Sequence, residues 1–220
     1  MTGLSAADAA AFRANGYHFP LRLMSEAEAG VCRKRVEDFE RAHPDAVGKL
    51  DLKANLLFPW VDAVTRHPAL LDAVEAILGP DLICWNASFR NKKRRSPTYA
   101  GWHQDTRYIT VRPPGVIAVV ALTPANAQSG TVRVIPGSNN WDVLPHRDTH
   151  DKDSPSRAGS TSRPNSTPRK PWTWRCGRAR SGSSITTPCT ARAPTNRTTG
   201  GSSCCWVSSP RVRSRWTESA

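Results

Sequence analysis

No run of 18 apolar residues occurs in this 220-residue chain, so nothing in it reads as a membrane span. The N-terminus lacks the basic flank and apolar stretch of a signal peptide, and a soluble cytoplasmic protein is the expectation. Among the six cysteines no Cys-x-x-Cys pair is found. Cys32 and Cys84 stand alone, and Cys176, Cys189, Cys204 and Cys205 indicate neither a zinc site nor a disulfide framework.

The sharpest absence is regional. Residues 154–220 contain no Leu, Phe, Tyr, Met, His or Gln, and their only aliphatics beyond alanine are Ile185, Val207 and Val212. Ser and Thr supply 24 of these 67 residues. Such a segment cannot bury enough apolar area to offset a chain entropy of about 1–2 kcal/mol per residue for the backbone alone, so composition predicts disorder there. Acidic residues are missing too: the tail has 12 Lys and Arg against Glu218 alone, while residues 1–153 have 19 against 17. The formal charge of +13 is therefore concentrated at one end.

The first two thirds of the chain are ordinary by comparison. Ser5 with Asp8 opens a short Ala-rich helix that Asn15-Gly16 closes, and a strand from Tyr17 to Leu23 follows. Ser25 with Glu28 forms a capping box, after which Ala27, Val31, Cys32, Val36 and Phe39 share one helical face as far as about Ala42. A third helix starts near Pro68, buries Leu70, Leu71, Val74, Ile77 and Leu78, and stops at Gly79-Pro80. From Ile83 the period becomes two, with Ile83, Trp85, Ala87 and Phe89 on one face and Cys84, Asn86, Ser88 and Arg90 on the other. Helical scaffold gives way to β structure at that point.

Chemistry concentrates between Trp102-His103-Gln104-Asp105 and Ile135-Pro136-Gly137-Ser138, with the apolar run Gly115 to Leu122 between them. In an extended strand His103 and Asp105 point the same way, so one ion can bind both. An imidazole nitrogen and a carboxylate oxygen are two thirds of the 2-His-1-carboxylate triad of non-heme Fe(II) sites. A His-x-Asp triplet alone is a weak signal. His18, His43, His67, His146 and His150 read as surface or loop histidines, and no histidine follows His150.

The ordered combination of Trp102-His103-Gln104-Asp105, Tyr108, Ala121-Leu122-Thr123, Gly130 and Val134-Ile135-Pro136-Gly137-Ser138 resembles the phytanoyl-CoA dioxygenase family, over about Gly16 to Asp153. The resemblance implies an Fe(II)- and 2-oxoglutarate-dependent oxygenase on a mainly β fold with N-terminal helices, a double-stranded β-helix or jelly roll. Residues 1–82 would be the helical scaffold and 83–153 the first part of the oxygenase core. Residues 154–220 would be a basic tail that leaves the roll incomplete. His103 and Asp105 would be metal ligands, and Lys92 or Lys93, in the run Lys92-Lys93-Arg94-Arg95, would match a cation that reaches the co-substrate or an acidic substrate. The partners would be a small-molecule substrate and O2, with no specific nucleic acid and no membrane. A carboxylate at Asp105 suits hydroxylation, since halogenating relatives carry a small residue there. Asn139 stands where the family usually has histidine, and the distal histidine and the arginine that pairs with 2-oxoglutarate are missing.

The tail has the composition of a GC-rich gene translated out of frame. Joining the last base of each codon to the first two of the next forces Asp across Trp172-Thr173, Leu across Cys204-Cys205 and Cys205-Trp206, and Gly across Trp206-Val207. Across Cys189-Thr190 it permits only His or Tyr. The next codons can continue Arg-Ala-Gly-Ser-Asn and, through Gly201, end in Arg-Arg, which resembles the family's missing half. A frameshift between about His150 and Pro155 is the reading. Two other readings stand beside the oxygenase: a nucleic-acid-binding arm built on the arginines and interleaved tryptophans of the tail, and a metal-free jelly-roll binding module.

Overall fold

Helices come first, each started by the chemistry that the sequence carries. In the computed structural model, which describes residues 3–91, 100–105, 115–125, 129 and 131–144 and the strand residues 172–173, 183–186, 190–192 and 204–209, α1 spans Ala6–Asn15. The Ser5 hydroxyl accepts from the Asp8 N–H, and the Asp8 carboxylate accepts in return from the Ser5 N–H. Ser25 and Glu28 repeat that box at the start of α2, Glu26–Ala42. A 3-10 helix, Pro44–Asp51, and two short helices, α3 (Ala54–Leu57) and α4 (Pro59–Thr65), lead to α5, Pro68–Leu78. Three of these helices match the expected positions; the turns between 44 and 65 were not anticipated, being too short for a periodic signal.

Among the described residues nine strands form two antiparallel sheets. β1 (Tyr17–Leu21), β2 (Asn86–Phe89) and β4 (Val116–Ala121) belong to one, β3 (Ala100–His103) and β5 (Val132–Val134) to the other. The remaining four come from the tail: β6 (Trp172–Thr173), β7 (Ser183–Thr186), β8 (Thr190–Arg192) and β9 (Cys204–Ser209). The sheet orders are β1-β7-β4-β9-β2 and β3-β8-β5-β6. Tail strands thus alternate with earlier ones, and both neighbours of β4 are tail strands.

In that arrangement short segments of residues 154–220 pair with strands of the first part of the roll. The physical reason is that ladder hydrogen bonds join main-chain groups that every non-proline residue carries, so a segment poor in apolar side chains can still pair. The paired segments also contain Ile185, Val207, Trp206 and several threonines, the residue types that suit a pleated surface. The rest of the tail lies outside the described residues.

β4 explains how the layers stack. All six of its residues are buried. Val116, Ala118 and Val120 face a core with Phe12, Val36, Val61, Leu70, Val74 and Phe89, while Ile117 and Val119 meet Val132 and Val134 of β5. One face of the first sheet is therefore covered by helices and the other by the second sheet, which is why Gly115 to Leu122 reads as a continuous apolar run. Burial differs in detail from the sequence reading. On α2, Ala29, Cys32 and Val36 are buried while Ala27 and Val31 are exposed; on α5, Leu71 turns outward and Ala69 and Ala73 face in. Ile83 and Trp85 are exposed and regular strand begins only at Asn86. Lys53 lies over the Trp85 ring and donates to the Trp85 carbonyl.

The motif after β5 is a structural joint. Gly137, at φ 80°, donates its N–H to the Asn15 carbonyl, and the Asn139 side-chain amide donates to the Arg13 carbonyl. Gly16, also at φ 80°, lets the chain pass beneath Asn139; a Cβ there would lie 2.6 Å from Asn139 Oδ1. Both positions require glycine.

Candidate metal centre

His103 ends β3, and Asp105 lies just beyond the strand rather than within it. Between Ala100 and His103 the register shifts: Ala100 pairs with Arg192 but His103 with Thr190, so three steps on β3 match two on β8. Such an irregularity bends a strand and re-aims the side chains beside it. The two functional groups converge as the spacing predicts, with His103 Nε2 3.3 Å from Asp105 Oδ1. Two donors bound side by side to one first-row metal at about 2.1 Å each would sit about 3 Å apart, so the separation suits a shared ion.

Both side chains are largely shielded, at 16% and 18% exposure. Asp105 Oδ2 is buried and has no hydrogen-bond partner among the described residues. A buried, unpaired carboxylate oxygen costs free energy, and a bound cation is one way to satisfy it. The donor chemistry fits two positions of a metal site. It does not fit three: among the described residues no group of three or more His, Cys, Asp and Glu side chains could hold an ion.

Gln104, between the two donors, was not singled out by the sequence. Its side chain is 2% exposed, its Nε2 donates to the Asp142 carbonyl at 3.1 Å, and its Oε1 accepts from the Leu144 N–H at 2.7 Å. This pair of bonds imitates a rung of β-ladder and ties the segment after the Gly137 turn to the His103 strand. On the flanking side, Arg133 lies 5.4 Å from the Trp102 ring centroid.

The other histidines of the described residues have structural surroundings. His18 Nδ1 is 4.0 Å from Asp8, His43 stacks obliquely on Phe39, and His67 Nδ1 accepts from the Ala69 N–H at the start of α5. His146, His150, Lys92 and Lys93 lie outside the described residues. Cys32 and Cys84 are free thiols whose pKa values are pushed up by burial, which suits packing better than reactivity.

In sequence, residues 4–179 match phytanoyl-CoA dioxygenase (PhyH). The chain belongs to the phytanoyl-CoA dioxygenase family. The match extends past Asp153, further than the motifs suggest, and stops short of β7. As a member of this family the chain is of Fe(II)/2-oxoglutarate-dependent oxygenase descent, with the family's jelly-roll fold. No match occurs among curated proteins. Among solved structures, the apo non-heme monooxygenase ThoJ superposes with a TM-score of 0.73 at 24% identity, over 92% of this chain and 76% of its own. EvdO2 from Micromonospora carbonacea var. aurantiaca, complexed with 2-oxoglutarate, gives 0.69 at 19% identity over 96% and 93%. CytC3 with Fe(II) and alpha-ketoglutarate gives 0.62 at 16% identity over 94% and 77%. At these identities the likeness establishes the fold. No described helix is long and apolar enough to cross a membrane.

Proposed function

We propose that His103 and Asp105 are two protein ligands of an Fe(II) site in a 2-oxoglutarate-dependent hydroxylase lineage, and that this chain is impaired because its third ligand is missing. The observation that carries the reading is the 3.3 Å approach of His103 Nε2 to Asp105 Oδ1, with Asp105 Oδ2 left buried and unpaired. Substrate and O2 would enter as small molecules, and 2-oxoglutarate would be the co-substrate. Lys92 and Lys93, ahead of the metal motif, are the cations proposed to reach it. A carboxylate at position 105 favours hydroxylation over halogenation.

Impairment follows from ligand count. No histidine occurs after His150, and the co-substrate arginine expected in the family's second half has no counterpart in the tail as translated. Fe(II) titration and succinate formation from 2-oxoglutarate test both parts. Weak Fe(II) binding that is lost in His103→Ala, with succinate no higher than in that variant, is expected. Succinate well above the His103→Ala control would overturn the impairment, and metal binding unchanged in His103→Ala would overturn the site.

A further inference from the structure

Apolar side chains stand in solvent where α3 meets the start of β2. Leu52, Leu56 and Leu57 are 63%, 75% and 52% exposed, and Ile83 and Trp85 are 48% and 44% exposed. Lys53 joins the two groups: its side chain lies over the Trp85 ring, 4.1 Å from the centroid, with Leu52 before it in the chain and the single turn of α3 after it. Ile83 precedes Trp85 by two residues. Together these side chains present roughly 500–600 Å² of apolar surface, the upper end of what a soluble monomer leaves bare.

The turn that carries the leucines is fastened to the sheet. The Lys53 N–H donates to Asn86 Oδ1 at 2.7 Å, and the Ala87 N–H donates to Asn55 Oδ1 at 3.2 Å. Lys53 is the one non-glycine residue among those described with a positive φ, 56°, a conformation that persists only where the surroundings impose it. Ala54 is fully buried at the base of the same turn, while Leu56 and Leu57 stay out. β2 ends its sheet, and the Ala87 N–H on that strand is already taken by Asn55. Contact through side chains, rather than by adding a strand, suits such a corner.

We infer that Leu52, Leu56, Leu57, Ile83 and Trp85 form the contact of a two-fold homodimer, with a second copy of this chain as the occupant. Two such surfaces face to face bury roughly 1,000–1,200 Å², which reaches the lower limit of about 1,000 Å² for a specific interface and makes the dimer a weak one, in the micromolar range. The rim favours a like partner. Asp51, next to Leu52, forms an exposed ion pair with Arg90 at 3.3 Å, so the border holds an acid and a base in contact and is complementary to itself across a two-fold axis. The formal charge of +13 on each copy opposes approach, so the apolar contact has to outweigh a repulsion that salt screens.

Sedimentation velocity of the full chain over about 1–100 µM reads the association directly. Wild type should pass from monomer to dimer across that range, and raising salt from about 0.05 to about 0.5 M should favour the dimer. Leu56→Asp, which enters the interface twice, should weaken the dimer at least about a hundredfold. Val31→Asp, at an exposed apolar residue of α2, should leave it unchanged. Circular dichroism establishes that Leu56→Asp is folded; should it not fold, Leu57→Ser is read in the same way. Wild type that stays monomeric throughout overturns the proposal, as does a dimer that folded Leu56→Asp leaves intact or that Val31→Asp disrupts equally. Dissociation at high salt would show that ion pairs rather than the leucines hold the copies, and overturns it too. A monomer that sediments with phosphatidylcholine vesicles, and ceases to in Leu56→Asp, would give the surface to a lipid partner in place of a second copy.

Discussion

Deleting residues 154–220 removes both neighbours of β4, and the consequence can be sized from the register. β4 aligns four residues with β7 and six with β9, on opposite edges. An antiparallel ladder makes about one main-chain hydrogen bond per aligned pair, so roughly ten are lost, each worth about 1 kcal/mol net. That is comparable with the whole stability of a typical domain, about 5–15 kcal/mol. The strand exposed is Val116-Ile117-Ala118-Val119-Val120-Ala121, uncharged and rich in valine and isoleucine, which is the composition of an aggregation-prone edge. A chain ending at Asp153 should therefore lose cooperative urea unfolding by circular dichroism, and should elute as aggregate in size-exclusion chromatography while the full chain does not. Cooperative unfolding of the shortened chain at the full-length midpoint would refute the reasoning. It would show that the tail strands add nothing to the ladder and that composition was the better guide.

Other perturbations probe separate links of the argument. Gln104→Ala removes the paired bonds to Asp142 and Leu144 and should cost about 1–3 kcal/mol in urea denaturation, with Gln104→Glu at least as costly because it buries a carboxylate against the Asp142 carbonyl. Leu70→Ala, at a side chain 1% exposed in the helix-facing core, should cost about 2–5 kcal/mol by the same measurement, whereas Leu71→Ala on the outward face should cost far less. The Glu28 carboxylate is held below its usual pKa first by the Ser25 N–H, and the Asp8 carboxylate first by the Ser5 hydroxyl. Because the folded values are depressed, this stabilisation is present above the unfolded carboxylate pKa and is lost as pH falls through the folded one. Asp8→Asn/Glu28→Gln should flatten the drop in melting temperature below about pH 4. Resequencing the gene across the codons of His150 to Pro155 should reveal one base lost or two gained. A stop codon in the shifted frame before Val207, or no histidine across Cys189-Thr190, would end the frameshift account.

What was legible beforehand follows from where the information sits. Helix starts are local chemistry, so Ser5/Asp8 and Ser25/Glu28 announced α1 and α2 correctly, while the turns between Pro44 and Thr65 are set by packing and by Lys53 at φ 56°, which no short window shows. The His103/Asp105 pair was legible from spacing, although the route differs: Asp105 is beyond the strand, and the register irregularity before His103 contributes to the approach. Gln104 was missed because a glutamine inside a metal motif looks like a solvated spacer until its amide is found replacing a ladder rung. Composition weighs side chains, whereas the pairing of β7 and β9 with β4 is a main-chain affair that composition does not register.

The joint between α1 and the Gly137 turn bears on how the chain comes into being. Asn139 donates to the Arg13 carbonyl across 126 residues of sequence. At synthesis rates of about 5–20 residues per second, the end of α1 leaves the ribosome roughly 6–25 seconds before its partner exists. In that interval Phe12, buried in the finished fold, has only the helices and strands between Tyr17 and Val134 for company. The first helix is thus the earliest element made yet must wait for the Gly137 turn before its contacts are complete, and a nascent chain stalled before Gly137 should present it to chaperones.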